Sequence, residues 1–151
     1  MSVSGEGPER YFDSALATSD YYQKDQGRWG GKGAEMLGLG EQVMRKQFIA
    51  LASNKVPGSE QALTARTKYK RTAGYDFCFS VPKSVSVYLA ETGDQAVERM
   101  IEESFKETMA DIESRMETRV RVSGQDTDRL SGNMVYAWFV HRETLHAGWA
   151  F

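Results

Sequence analysis

The sequence predicts an α+β fold, a sandwich built on a mainly antiparallel sheet. Three observations carry that prediction. Helical spacing of apolar residues dominates the first third of the chain, strict alternation appears only from about residue 75, and a long amphipathic helix lies between strand-like segments. At 151 residues the chain fits one domain with enough apolar material for a core, so a single domain over 1–151 is expected, with residues 1–8 as a flexible polar lead.

In chain order, residues 9–23 place Tyr11, Phe12, Ala15, Leu16 and Tyr22 at helical spacing and predict an amphipathic helix. The stretch GRWGGKGAEMLGL follows, Gly-rich and then briefly helical. Its four glycines between Gly27 and Gly33 permit close backbone approaches. A helix is expected over 41–52 with Val43, Met44, Phe48 and Leu51 inward, and a loop over 53–61. Residues 64–71 read as an exposed strand. YDFCFSV, residues 75–81, alternates with Tyr75, Phe77, Phe79 and Val81 on one side. Pro82 then suits the first turn of a helix with Val85, Tyr88 and Leu89 inward. The firmest element is a helix from Asp94 to about Glu117, striped by Val97, Ile101, Phe105, Met109, Ile112 and Met116. Strands over 118–123 and 133–143 close the chain, with a turn-rich segment between them.

Composition narrows the function classes. A single cysteine, Cys78, allows no internal disulfide and suits a reducing, cytoplasmic setting. No signal peptide is visible, and no run of 18 apolar residues occurs, so no membrane span is expected. The net charge of −2 is unevenly distributed: eight acids and two bases lie between Glu91 and Glu113, which leaves 17 bases and 13 acids elsewhere. Arg66, Lys68, Lys70 and Arg71 form a run without an acid. It suits phosphate contact, although a solvated edge strand gives the same pattern.

Several residues have the chemistry of a site. Tyr21 and Tyr22 are paired, with Tyr11 about three turns earlier. An activated tyrosine can attack a phosphodiester, although packing explains the same spacing. Asp76 stands among aromatics and needs a partner: it caps, orients a histidine or acts as a base. SVPKS offers free helix N–H groups beside Lys83 and Ser84, a seat for a phosphate without the glycines of a Walker loop. Arg28 and Lys32, in the Gly-rich stretch, are further DNA-contact candidates. His141 and His146, with Glu143 or Asp76, have donor atoms for a divalent ion, and packing of a strand histidine is the plainer alternative.

In this order SDYYQKD, GRWGGKGAEMLGL, AGYDFCFSVPKSVSV and FVHRET resemble the motifs of MobF-class (TrwC/TraI-like) conjugative relaxases, members of the HUH endonucleases. The resemblance runs from about Tyr11 to Thr144. It implies a two-layer α/β sandwich of the relaxase (HUH) type that nicks one strand of plasmid transfer-origin DNA and stays joined through a 5′-phosphotyrosine. By position, Tyr21 looks like a nucleophile with Tyr22 its close competitor, and Tyr11 like another active-site tyrosine. Asp76 would activate a tyrosine or orient a metal-bound histidine, and His141 would be the first of three metal histidines. Mg²⁺ or Mn²⁺ is the implied cofactor, and single-stranded origin DNA, with other relaxosome proteins, the implied partner.

The chain also departs from that pattern. His146 is followed by Ala147 and Gly148, which looks like an HxH pair whose last ligand is glycine, with the loop before it deleted. The strand that normally precedes the tyrosine helix is not visible, and the fold is expected to be incomplete at the C-terminal end. The expectation is a relaxase-like chain with little or no activity, whose alternatives are a remnant that only binds single-stranded DNA and a non-enzymatic α+β binding module.

Overall fold

The structure, a computed structural model, describes residues 2–4, 27–64, 72–122 and 125–140. The elements run β1 (Ser2–Ser4), β2 (Arg28–Gly30), α1 (Lys32–Met36), α2 (Arg45–Ala52), β3 (Thr72–Tyr75), α3 (Lys83–Thr92), α4 (Gln95–Ser114), β4 (Glu117–Val122), β5 (Gln125–Leu130) and β6 (Tyr136–Trp138). All three ladders among them, β1–β3, β2–β6 and β4–β5, are antiparallel, as the sequence predicts. The helix expected over 9–23 and most of the strand expected over 64–71 lie outside the described residues. No helix among the described residues is long and apolar enough to cross a membrane.

The chain divides into two compact units. The first comprises Met1–Cys78 with Val135–Phe139. Its centre is the β2–β6 pair, in register Arg28↔Trp138, Trp29↔Ala137 and Gly30↔Tyr136. On the other side of β2, the Trp29 N–H donates to the Glu41 carbonyl at 3.0 Å and the Val43 N–H to the Gly27 carbonyl at 2.8 Å. These bonds correct the helix expected over 41–52. The backbone of Glu41 to Val43 is committed to β2, so α2 starts only at Arg45, and Met44, expected inward, is exposed.

The Gly-rich stretch ends in a well-defined helix stop. Gly38 takes a positive φ of 64°, its N–H donates to the Glu35 carbonyl, and the Leu39 N–H donates to the Ala34 carbonyl. These are the paired bonds of a Schellman motif, which satisfy the last carbonyls of α1 and hold buried Gly33 and Ala34 in place. After α2, residues 53–64 form a loop closed around Asn54. The Asn54 side chain is buried, accepts from the Thr64 hydroxyl at 3.0 Å and donates to the Thr64 carbonyl at 3.4 Å. The expected loop is thus a tied one.

Two further strand expectations need correction here. The N-terminal residues, read as a flexible lead without a strand, include β1, which sets Ser2 opposite Tyr75. The alternating segment 75–81 is not a strand: β3 ends at Tyr75, and the residues after it have no strand opposite them among the described residues. Alternation supplies side chains for a pleat but no backbone partners, so Tyr75 and Phe77 stay exposed.

The second unit comprises Phe79–Met134 with Val140–Phe151. Pro82, expected in the first turn, stands at the N-cap just before α3, and Gly93 closes the helix in the left-handed conformation at φ 61°. Tyr88, expected inward, is half exposed, and its hydroxyl donates to Asp94 at 3.2 Å. Asp94 caps α4 by accepting from the Ala96 N–H at 2.8 Å. The α4 stripe is covered most fully near its end, where Met109 and Glu113 are buried. Phe79 meets Phe105 edge to face, ring centres 5.3 Å apart. The segment read as turn-rich contains β5, paired with β4 from Glu117↔Leu130 to Val122↔Gln125. The last strand, expected over 133–143, is confined to β6 within the described residues.

Candidate nucleic-acid interface

β2 is a strand because its neighbours require it, and three glycines around it make those neighbours fit. A Cβ at Gly27 would stand 2.1 Å from the Phe139 ring, and one at Gly30 would stand 2.4 Å from the Tyr136 ring. Gly31 follows with φ 88°, and its carbonyl accepts from Ala34 at 3.0 Å to start α1. Alternation then sorts the ribbon into two faces. Trp29 turns one way: its indole N–H donates to Gln47 at 3.1 Å and its ring stacks on Phe48, 6.4 Å between centres. Arg28 turns the other way and lies over the Trp138 ring at 5.4 Å from its centre.

Among the residues singled out by sequence, Arg28 and Lys32 are both exposed, Arg28 in β2 and Lys32 at the start of α1, two residues after β2 ends. Asp76 immediately follows β3 and is exposed. This corrects its expected place inside a strand, since the ladder stops one residue before it, at Tyr75. Lys83 and Ser84 are the first two residues of α3, both exposed, in the second unit. The start of that helix has no side-chain cap bond, and the Val85 and Ser86 N–H groups both donate to the Pro82 carbonyl, at 2.9 and 3.1 Å. Tyr11, Tyr21, Tyr22, Arg66, Lys68, Lys70, Arg71, His141 and His146 lie outside the described residues.

The described residues do not assemble a metal donor set, since no three His, Cys, Asp or Glu side chains come together among them. Asp76 is the one candidate oxygen donor with a defined position, and both histidines fall outside it. No step is therefore derived through a metal. Sequence reasoning missed Tyr136 and Trp138 as neighbours of Arg28. The available signal was the matched placement of small and large: Gly27 just before β2 and Gly30 at its end, against Tyr136 and Trp138 in β6 and Phe139 just after it.

Comparison with known proteins decides what kind of chain this is. The model of the TrwC relaxase family matches residues 6–145. The chain belongs to the TrwC relaxase family. It is 35% identical over 115 residues to the multifunctional conjugation protein TraI of Escherichia coli, covering 76% of this chain and 6% of TraI. TraI of Escherichia coli strain K12 matches at 34% over the same length. The fold matches a metal-free structure of the conjugative relaxase TrwC in complex with oriT DNA, at a TM-score of 0.73 and 29% identity over 93% of this chain and 50% of that one. A metal-bound TrwC complex with oriT DNA matches at 0.70 and 26% identity, covering 91% of this chain and 48% of that one. The chain thus spans about half of the solved relaxase chains and a small fraction of TraI. The membership also displaces the reading of an unrelated α+β module.

Proposed function

We propose that this chain binds single-stranded plasmid transfer-origin DNA in the manner of the TrwC relaxases, and that alone it cuts that DNA weakly or not at all. The observation that carries the binding half is the family match over residues 6–145, together with a fold likeness to relaxases solved on oriT DNA. The proposal includes a two-layer sandwich on one antiparallel sheet, a cytoplasmic location and association with other relaxosome proteins. It also includes the roles of the tyrosines: Tyr21 or Tyr22 attacks the scissile phosphorus, forming a phosphotyrosine and releasing the 3′-hydroxyl of the leaving strand. Tyr11 stands by as a further active-site tyrosine, and Asp76 takes up the proton from the attacking hydroxyl or orients His141. DNA phosphates are met by Lys83, Ser84, Arg28 and Lys32, and by the run Arg66, Lys68, Lys70 and Arg71.

Weak cutting follows from the donor set. A divalent ion such as Mg²⁺ or Mn²⁺ would polarise the scissile phosphate when bound. Of the three histidine positions in the family pattern, this chain offers His141 and His146, while Gly148 has no side-chain donor atom. The test is single-turnover cleavage of a single-stranded origin oligonucleotide with either metal. The expected result is binding that weakens steeply with salt and little covalent adduct. Efficient nicking, with an adduct lost in Tyr21→Phe or Tyr22→Phe, overturns the claim of weak cutting. Failure to bind the strand at low salt overturns the DNA reading itself.

A further inference from the structure

We propose that the outer face of the β2–β6 ribbon is a contact site for single-stranded DNA, with Arg28 taking a backbone phosphate and the rings of Tyr136 and Trp138 taking an adjacent base. The inference rests on the DNA-binding reading above and assigns that binding to one surface of the first unit.

Strand register fixes which side chains share this face. Arg28 pairs with Trp138 and Gly30 with Tyr136, so these four project together, while Trp29 and Ala137 project oppositely and Trp29 docks on α2 through Gln47 and Phe48. The inner face is thus committed to the unit itself. On the outer face Gly30 contributes no side chain, and the Tyr136 ring takes the space a Cβ would need. Two aromatic rings on neighbouring positions of β6 therefore lie beside a strand with one arginine and one glycine. Tyr136 and Trp138 are half-buried, each partly at the surface, and Arg28 is exposed.

The arginine is arranged for phosphate. Its guanidinium lies over the Trp138 ring at 5.4 Å, which restricts its rotamers, and the planar fork of guanidinium N–H donors matches the oxygens of a phosphate. An arginine held this way loses less freedom on taking up a phosphate than a solvated one. Rings beside a fixed cation are what a single strand meets in sequence-tolerant binding, where bases stack and phosphates pair with charge. The distribution of charge agrees. The residues of the first unit include 11 basic and nine acidic side chains, those of the second eight basic and 12 acidic. Lys32, at the start of α1, is a second exposed cation two residues beyond the end of β2.

The experiment uses the full 151-residue chain and a labelled single strand of mixed sequence, about 16 nucleotides long to span one site. Binding is measured across a salt series for wild type, Arg28→Gln, Arg28→Lys, Trp138→Leu and Trp138→Phe, with circular dichroism and urea midpoints for each. Arg28→Gln is expected to lower the salt slope by about 0.7, the value for one phosphate on a single strand. Arg28→Lys keeps the slope. Trp138→Leu is expected to weaken binding roughly tenfold at fixed salt with an unchanged slope, and Trp138→Phe to keep most of the affinity. If Trp138→Leu unfolds, Arg28→Gln and Trp138→Phe still decide. Wild-type affinity and slope in Arg28→Gln, with wild type binding the strand, overturns the ribbon site and leaves the DNA reading standing. If wild type itself does not bind, both fall.

Discussion

Gly30 shows at the smallest scale how this chain spends its glycines. Its backbone conformation is open to any residue, so what demands glycine is the Tyr136 ring 2.4 Å from where a Cβ would stand. Gly30→Ala must push that ring off the ribbon, an overpacking that costs about 1–3 kcal/mol. The expected outcome is a lower urea midpoint with an unchanged dependence on denaturant. A variant as stable as wild type would show that the ring moves aside freely. Arg28 and Asp76 illustrate what a sequence discloses about single residues. Their charges and neighbours in the chain were plain, and the motif around Asp76 pointed to the family. Their surroundings were not plain. Asp76 looked like a strand carboxylate only because its alternating neighbours resemble a strand, and the Trp138 ring beneath Arg28 lies more than 100 positions away in sequence.

The α3–α4 junction was the most legible piece at the scale of elements, because each signal there is local. Pro82 starts one helix, Gly93 ends it, and Asp94 caps the next. The bond from the Ala96 N–H, then the one from the Tyr88 hydroxyl, holds the Asp94 carboxyl below the usual aspartate value. A depressed carboxylate contributes stability above its unfolded value, near pH 3.9, and loses it as the pH falls through the lower folded value. Acidification below about pH 4 is therefore expected to loosen the start of α4, and Asp94→Asn to remove that part of the pH dependence. Helicity followed by circular dichroism between neutral and acid pH checks this. An identical acid profile in the variant contradicts it. Strands were less legible than helices for a physical reason. β2 and β6 are three residues each, too short for a period to register, and β5 hides among Asp, Thr and Arg. They are strands because other backbone reaches them. Residues 76–81 have the pattern, but no strand pairs with them among the described residues.

At the scale of the whole molecule, only Ala34 and Met109 are buried among the described apolar residues, while Phe77, Phe79, Met100 and Leu130 are exposed. Among the described residues that is little core and much exposed apolar surface. The isolated protein is expected to bind a hydrophobic dye such as ANS under native conditions and to self-associate as its concentration rises. Absence of dye binding, with a sharp two-state unfolding transition, would mean that these side chains are covered in solution. The family was legible at this scale from four motifs, and the α+β class from the order of helical and alternating stretches. The assignment of strands to three separate ladders was not, since pairing between distant segments leaves no local trace.

The β2–β6 ribbon has a consequence in time. Its two strands are separated by 105 intervening residues, and closing a loop of that length costs about 4 kcal/mol by the logarithmic rule. Contacts within α4 or the β4–β5 hairpin close short loops and form without waiting. During synthesis at about 5–20 residues per second, β2 emerges and then spends roughly 5–20 s without its partner. The surface proposed for DNA is therefore the last part of its unit to exist. A growing chain cannot engage a single strand there until Trp138 has left the ribosome.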